Sequence, residues 1–175
     1  MFSYFPNGIE NTIPNKTIDL PGLIKLIKNN PQKELLEEIR ALKIEGNLIY
    51  KELKKGLSNI TPNCIVKIRN LKRQNFKANF KESSHYIYFD TDYIHNVDEY
   101  KKYFIERYGH QVSLVCKSSS HGGLSILFKI TNKIASKEQF FQVWEEIRTT
   151  ILADEKIDIL CKDIGRAMYV SYDPD

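Results

Sequence analysis

In the first third of the chain apolar residues recur every three or four positions, whereas beyond about residue 62 they run together or alternate. The first pattern predicts helices, the second strands. Asp19 ahead of Leu20-Pro21 is a helix-start signal, and Leu23, Ile24 and Ile27 follow at helical spacing. Leu35, Leu36, Ile39 and Leu42 share one stripe, which predicts a second amphipathic helix over 32–44, with a shorter one over about 48–55. Before them, Phe2, Tyr4 and Phe5 lead into Pro, Asn and Gly, a short extended piece entering a loop. Farther on, strands are predicted at 64–68, 85–89, 111–116, 124–130, 157–159 and 167–171, with helices over 97–108 and 136–152, the latter capped by Ser136. Residues 69–81 form an exposed polar hairpin or loop in this reading. Helices followed by alternating strands and helices predict an α+β or α/β architecture with helices packed on a sheet.

Composition narrows this to one domain. The chain has 175 residues, 42% of them hydrophobic and 11% aromatic, enough for a single core. Cys64, Cys116 and Cys161 are odd in number and far apart, which argues against a disulfide framework or a zinc ribbon and points to a reducing cytoplasm. No apolar run approaches the roughly 20 residues of a membrane span, and the first ten residues lack a secretion signal, so a soluble protein with no membrane partner is expected. The net charge of +4 excludes neither an enzyme nor a nucleic-acid binder. Its distribution is more telling, because residues 51–82 hold nine Lys and Arg against two Asp and Glu. Lys67, Arg69, Lys72, Arg73 and Lys77 lie there with Phe76 and Phe80 interleaved, a composition suited equally to solvated faces and to a groove that tracks phosphates and stacks bases.

Three clusters carry candidate chemistry. In Tyr88-Phe89-Asp90-Thr91-Asp92, residues two apart on a strand point the same way, so Asp90 and Asp92 leave the strand on one face. Such a pair suits a hard divalent cation, although a D-x-D at a strand end can also simply cap the next turn. Lys117-Ser118-Ser119-Ser120-His121-Gly122-Gly123-Leu124 reads either as an anion cradle of hydroxyls and backbone N–H groups or as an ordinary Gly-Gly hairpin. In the C-terminal run, Asp158 falls on a short apolar stretch where a carboxylate needs a partner, and Arg166 either holds Asp163 or reaches a phosphate.

In this order the pieces resemble the N-terminal domain of virulence-associated protein E and its Bacteroidetes relatives, a branch of the archaeo-eukaryotic primase and primase-polymerase superfamily. The likeness rests on Tyr50-Lys51-Glu52-Leu53-Lys54-Lys55-Gly56-Leu57 with Ile60-Thr61-Pro62, on the strand ending in Asp90 and Asp92, and on the Ser118 to Leu124 loop. It rests above all on the closing pattern of Asp158, Asp163, Arg166 and Ser171-Tyr172-Asp173-Pro174-Asp175. The resemblance implies a primase-like α+β core, an RRM-like antiparallel sheet module beside a smaller α/β unit. In this single domain, 1–60 would be a mainly helical lead-in and 61–175 the catalytic core.

It also implies metal-dependent, template-directed nucleotidyl transfer on single-stranded DNA in replication of a bacterial, phage or mobile-element genome. Asp90, Asp92 and Asp158 would be catalytic ligands of Mg²⁺ or Mn²⁺. Ser118, Ser120, His121, Gly122, Gly123 and Arg166 would bind the NTP or dNTP, and a helicase, fused or in trans, is the implied partner. The chain departs from the family pattern at two loop positions, with His121 where glycine is common and Ser125 where many members have histidine. A module with the same fold that binds single strands or nucleotides without catalysis is the alternative reading.

Overall fold

A computed structural model describes all of residues 1–175. The architecture is α+β, with every strand pairing antiparallel. Strands β1 (Phe2–Phe5) and β2 (Lys16–Ile18) open the chain, followed by helices α1 (Leu20–Lys28), α2 (Lys33–Ile44) and α3 (Tyr50–Lys55). Asp19 caps α1 by accepting from the Gly22 N–H at 2.9 Å, with Pro21 in the first turn, as its sequence signal predicts. Strands β3 (Asn59–Thr61) and β4 (Cys64–Val66) come next; a short helix, α4 (Phe76–Asn79), and β5 (Phe80–Ser83) complete the basic segment. The predicted polar hairpin is therefore a β4–β5 pair whose connection coils into a helical turn.

The remainder runs β6 (Tyr86–Asp90), α5 (Val97–Tyr108), β7 (Val112–Lys117), β8 (Leu124–Lys129), α6 (Lys137–Thr150) and finally β9 (Met168–Tyr169). Ser136 caps α6 by accepting from the Gln139 N–H. Strands β6, β8 and β7 form a three-stranded sheet with β8 in the centre. The strand predicted at 157–159 shrinks to one bridge, Ile157 against Thr91, before a 3-10 turn at Ile159–Lys162 takes over. Asp158 explains the change: its carboxylate accepts from the Leu160 N–H and turns the chain away from the sheet. With Ile157 counted at the open edge of β6, the succession is β-α-β-β-α-β in the split βαβ manner.

Beside its three helices, the lead-in also supplies β1, β2 and the start of β3, three of the four strands in the sheet β2-β1-β3-β9, whose last strand comes from the far end of the chain. One apolar core joins both sheets, from Phe2, Phe5 and Ile60 through Phe89 and Leu127 to Trp144. Alternation along β6 organises it: Ile87 and Phe89 take one face, where Phe89 stacks on Trp144 of α6 with ring centroids 5.3 Å apart. Tyr88 and Asp90 therefore take the opposite face, toward a cleft.

Candidate functional site

That cleft has a volume of about 570 Å³ and lies against both sheets. Asp90 and Tyr88 enter it from β6, Ser125 from β8, Ser118 and Ser119 from the β7–β8 loop, Lys54 from α3, and Arg166 and Tyr169 from the C-terminal segment. Three parts of the chain far apart in sequence thus surround one carboxylate. Ser125 Oγ donates to Asp90 Oδ1 at 3.2 Å, and the fully enclosed Tyr88 hydroxyl lies 3.3 Å from the same serine. Ser125 is therefore in direct contact with the candidate catalytic carboxylate.

Burial pushes the Asp90 carboxyl up to about 7, and the charge of Asp92 adds to the shift; Lys54, the Ser125 hydroxyl and Arg166 oppose it. Asp92 is also raised, first by burial and then by the charge of Asp158, against Lys43, Lys54 and Arg166. Withdrawal from water lowers Lys54, whose charge Asp90 and Asp92 favour. Burial first, and then repulsion between neighbouring carboxylates, thus disfavour the charged forms more than Lys43, Lys54 and Arg166 favour them. A hard cation held by Asp90 and Asp92 would relieve this imbalance, so this pair of oxygen donors fits Mg²⁺ or Mn²⁺.

Asp158 is differently engaged. Its Oδ2 accepts from Arg166 at 3.0 Å while its Oδ1 caps the 3-10 turn. Its charge still reaches the aspartate pair, since it is the second cause of the rise at Asp92. Arg166, for its part, holds Asp158 rather than Asp163, whose carboxylate closes its own turn on the Gly165 N–H.

The β7–β8 loop divides the residues expected to bind a nucleotide. Ser118 and Ser119 face the carboxylate cleft, whereas Ser120, His121 and Gly122 line a neighbouring pocket of about 420 Å³ with Lys43, Tyr93 and Asp98. The backbone here is a hairpin: the Gly122 N–H is donated inward to Ser118 Oγ at 3.2 Å and the His121 N–H to the Ser118 carbonyl at 3.0 Å. Neither of these two amides is free to cradle an anion. His121 takes up a left-handed φ of 52° and lies 3.8 Å from Asp98; burial, with Arg40 and Lys117 nearby, lowers its pKa. Gly123 serves close approach. A Cβ there would fall 1.7 Å from the Thr91 carbonyl oxygen, in the segment between the two aspartates.

The basic residues also separate. Arg69 lines the cleft, but its guanidinium is committed to the Ile9 and Asn11 carbonyls and to Asn59 Oδ1, and it lies over the Phe5 ring. Lys72, Arg73 and Lys77 are exposed around adjoining depressions, while Lys67 lines none of them and only its backbone N–H, donated to Asn79, is engaged.

The closing motif has a structural task. Asp173 Oδ2 accepts from Lys101 Nζ and from the Lys117 N–H, both at 2.8 Å, and Arg40 donates to Ser171 Oγ and the Tyr172 carbonyl. Asn30 donates to the Val170 and Ser171 carbonyls. This strap fastens the N-terminal helices to α5 and β7, and so fixes the wall of the cleft that carries Lys54.

Sequence reasoning assigned no site role to Lys43 or Lys54 and met Ser125 only as a departure from the family pattern. The two lysines sit among other helical lysines, and only tertiary folding singles them out. Compared with models of known families, with curated proteins and with solved structures, the chain gives no match. No helix is long and apolar enough to cross a membrane.

Proposed function

We propose that this chain is a nucleotidyltransferase of the primase or primase-polymerase type, acting on single-stranded DNA with NTPs or dNTPs. The observation that carries the reading is the convergence on one cleft of a buried carboxylate at a strand end, Asp90, with two cationic residues, Lys54 and Arg166, and three serines. The β-α-β-β-α-β succession from β6 to Ile157 supports an RRM-like catalytic module, with the sheet of β1, β2, β3 and β9 and its three helices as the smaller unit.

In this reading Asp90 and Asp92 hold the divalent ion, Lys54 and Arg166 face the triphosphate, and Ser118 and Ser119 donate to its oxygens. A bound Mg²⁺ or Mn²⁺ supplies charge neutralisation and Lewis acidity. The chain's own contribution is to align a primer 3′-hydroxyl with the α-phosphorus, so that the new P–O bond forms in line as pyrophosphate departs. A helicase, fused or in trans, would be the replication partner.

The Arg166–Asp158 pair favours a second reading, a nucleotide or single-strand binder without catalysis, because it already gives the third expected carboxylate a cationic partner. Primer extension on a single-stranded template, with Mg²⁺ and Mn²⁺ and with labelled NTPs and dNTPs in parallel, separates the two. Product that disappears in Asp90→Ala or Asp92→Ala is expected. Strand binding with no product under either metal would establish the second reading.

A further inference from the structure

The carboxylate cleft does not end at Arg69. Thr12, Arg69, Asp163 and Gly165 also line a second depression of about 360 Å³, to which Lys72 and Lys137 are added. Lys137 in turn lines a third, of about 380 Å³, with Arg73, Lys77 and Phe76. The three form one groove running from the carboxylates across to the connection between β4 and β5. Beyond the cleft, where the Arg69 guanidinium is already engaged, four cations border it, Lys72, Arg73, Lys77 and Lys137, against the carboxylates of Asp163 and Glu138. Phe76 stacks on Phe80 with centroids 4.7 Å apart, and the Lys137 ammonium lies 5.8 Å from the Phe76 centroid.

We propose that this groove carries single-stranded nucleic acid to or from the cleft, with Lys137, the first residue of α6, as its central phosphate contact and Phe76 as a surface for a base. Cations in series suit a polyanion of regular charge spacing, and flat rings among them suit a strand with bases better than an acidic peptide, which has no rings to stack. Lys137 belongs to an otherwise acidic stretch of the sequence and joins the basic segment only through folding. The proposal rests on the nucleotidyl-transfer reading for the kind of strand and not for the groove itself.

Fluorescence anisotropy with labelled oligo-dT tests it, with extension assayed alongside and thermal melts confirming that each variant is folded. Lys137→Glu should weaken binding about tenfold, and Lys137→Gln less, each flattening the slope of log affinity against log salt by about 0.7, the loss of one phosphate contact. Phe76→Ala should weaken binding without changing that slope. Lys102→Glu, on the exposed face of α5, should leave affinity unaltered. Wild-type affinity in Lys137→Glu, or displacement of the oligonucleotide by polyglutamate as readily as by unlabelled oligo-dT, would overturn the groove. Lys137-dependent binding without extension would defeat only the catalytic reading, and extension with Lys137-independent binding would defeat only the groove.

Discussion

Asp173 and Asp90 both carry carboxylates withdrawn from water, and they are satisfied in opposite ways. Asp173, 1% exposed, is paired at Oδ2 by the Lys101 ammonium and a backbone N–H, with Arg40 nearby and its Oδ1 buried without a hydrogen-bond partner, and serves to tie distant elements together. Asp90 receives one hydroxyl hydrogen bond, sees a like charge two residues on, and is raised to about 7. The contrast separates a carboxylate paired with a cation that ties elements together from one that is buried without a paired cation.

The comparison breaks first at the strap. Asp173→Ala leaves Lys101 buried without its partner and should cost about 3–5 kcal/mol, read by denaturant unfolding. Replacing both residues with apolar ones should recover much of that loss; no recovery would mean that the pair does more than neutralise itself. Asp90→Asn should do the reverse. It should reduce extension by about 100-fold or more while raising the stability of the metal-free protein by on the order of 1 kcal/mol, since a buried repulsive charge is removed. A stability loss there would place Asp90 with Asp173 as a structural residue. Gly123→Ala should cost about 1–3 kcal/mol, because the added methyl meets a backbone carbonyl that must move. The smallest effect is expected at the partly exposed Arg166–Asp158 pair, where Asp158→Asn should change stability by less than about 1 kcal/mol.

Much of this fold was legible in the residue pattern, and the limits have physical causes. Asp19 and Ser136 announce their helices because capping is local chemistry. The helix at Val97–Tyr108 coincides with its expected span. The pairing of β3 with β9 was not legible, since nothing near Ile60 indicates that Met168 will lie beside it. At the site, the D-x-D spacing put Asp90 at a strand exit, where it is found. The same local reasoning overvalued Gly122, whose N–H the loop uses internally, and could not see Lys54 or Lys137, whose significance exists only after distant elements meet. The Ser171 to Asp175 motif was the most distinctive stretch of the sequence, yet its residues act as fasteners.

The contact between Gly123 and the Thr91 carbonyl has one more implication. With the Leu124 N–H donated to Thr91 Oγ1 and the Ile94 N–H to the Gly122 carbonyl, the serine loop and the two aspartates are joined at several points. They form a jaw without a hinge. A ligand that spans Ser118 and Asp90 meets walls already set at their working separation, so the entropy of ordering them is lost when the protein folds and not again on each binding event. Recognition at this cleft should then be governed by how well a ligand's charge and length match a fixed gap, and poorly matched molecules should leave quickly rather than be accommodated.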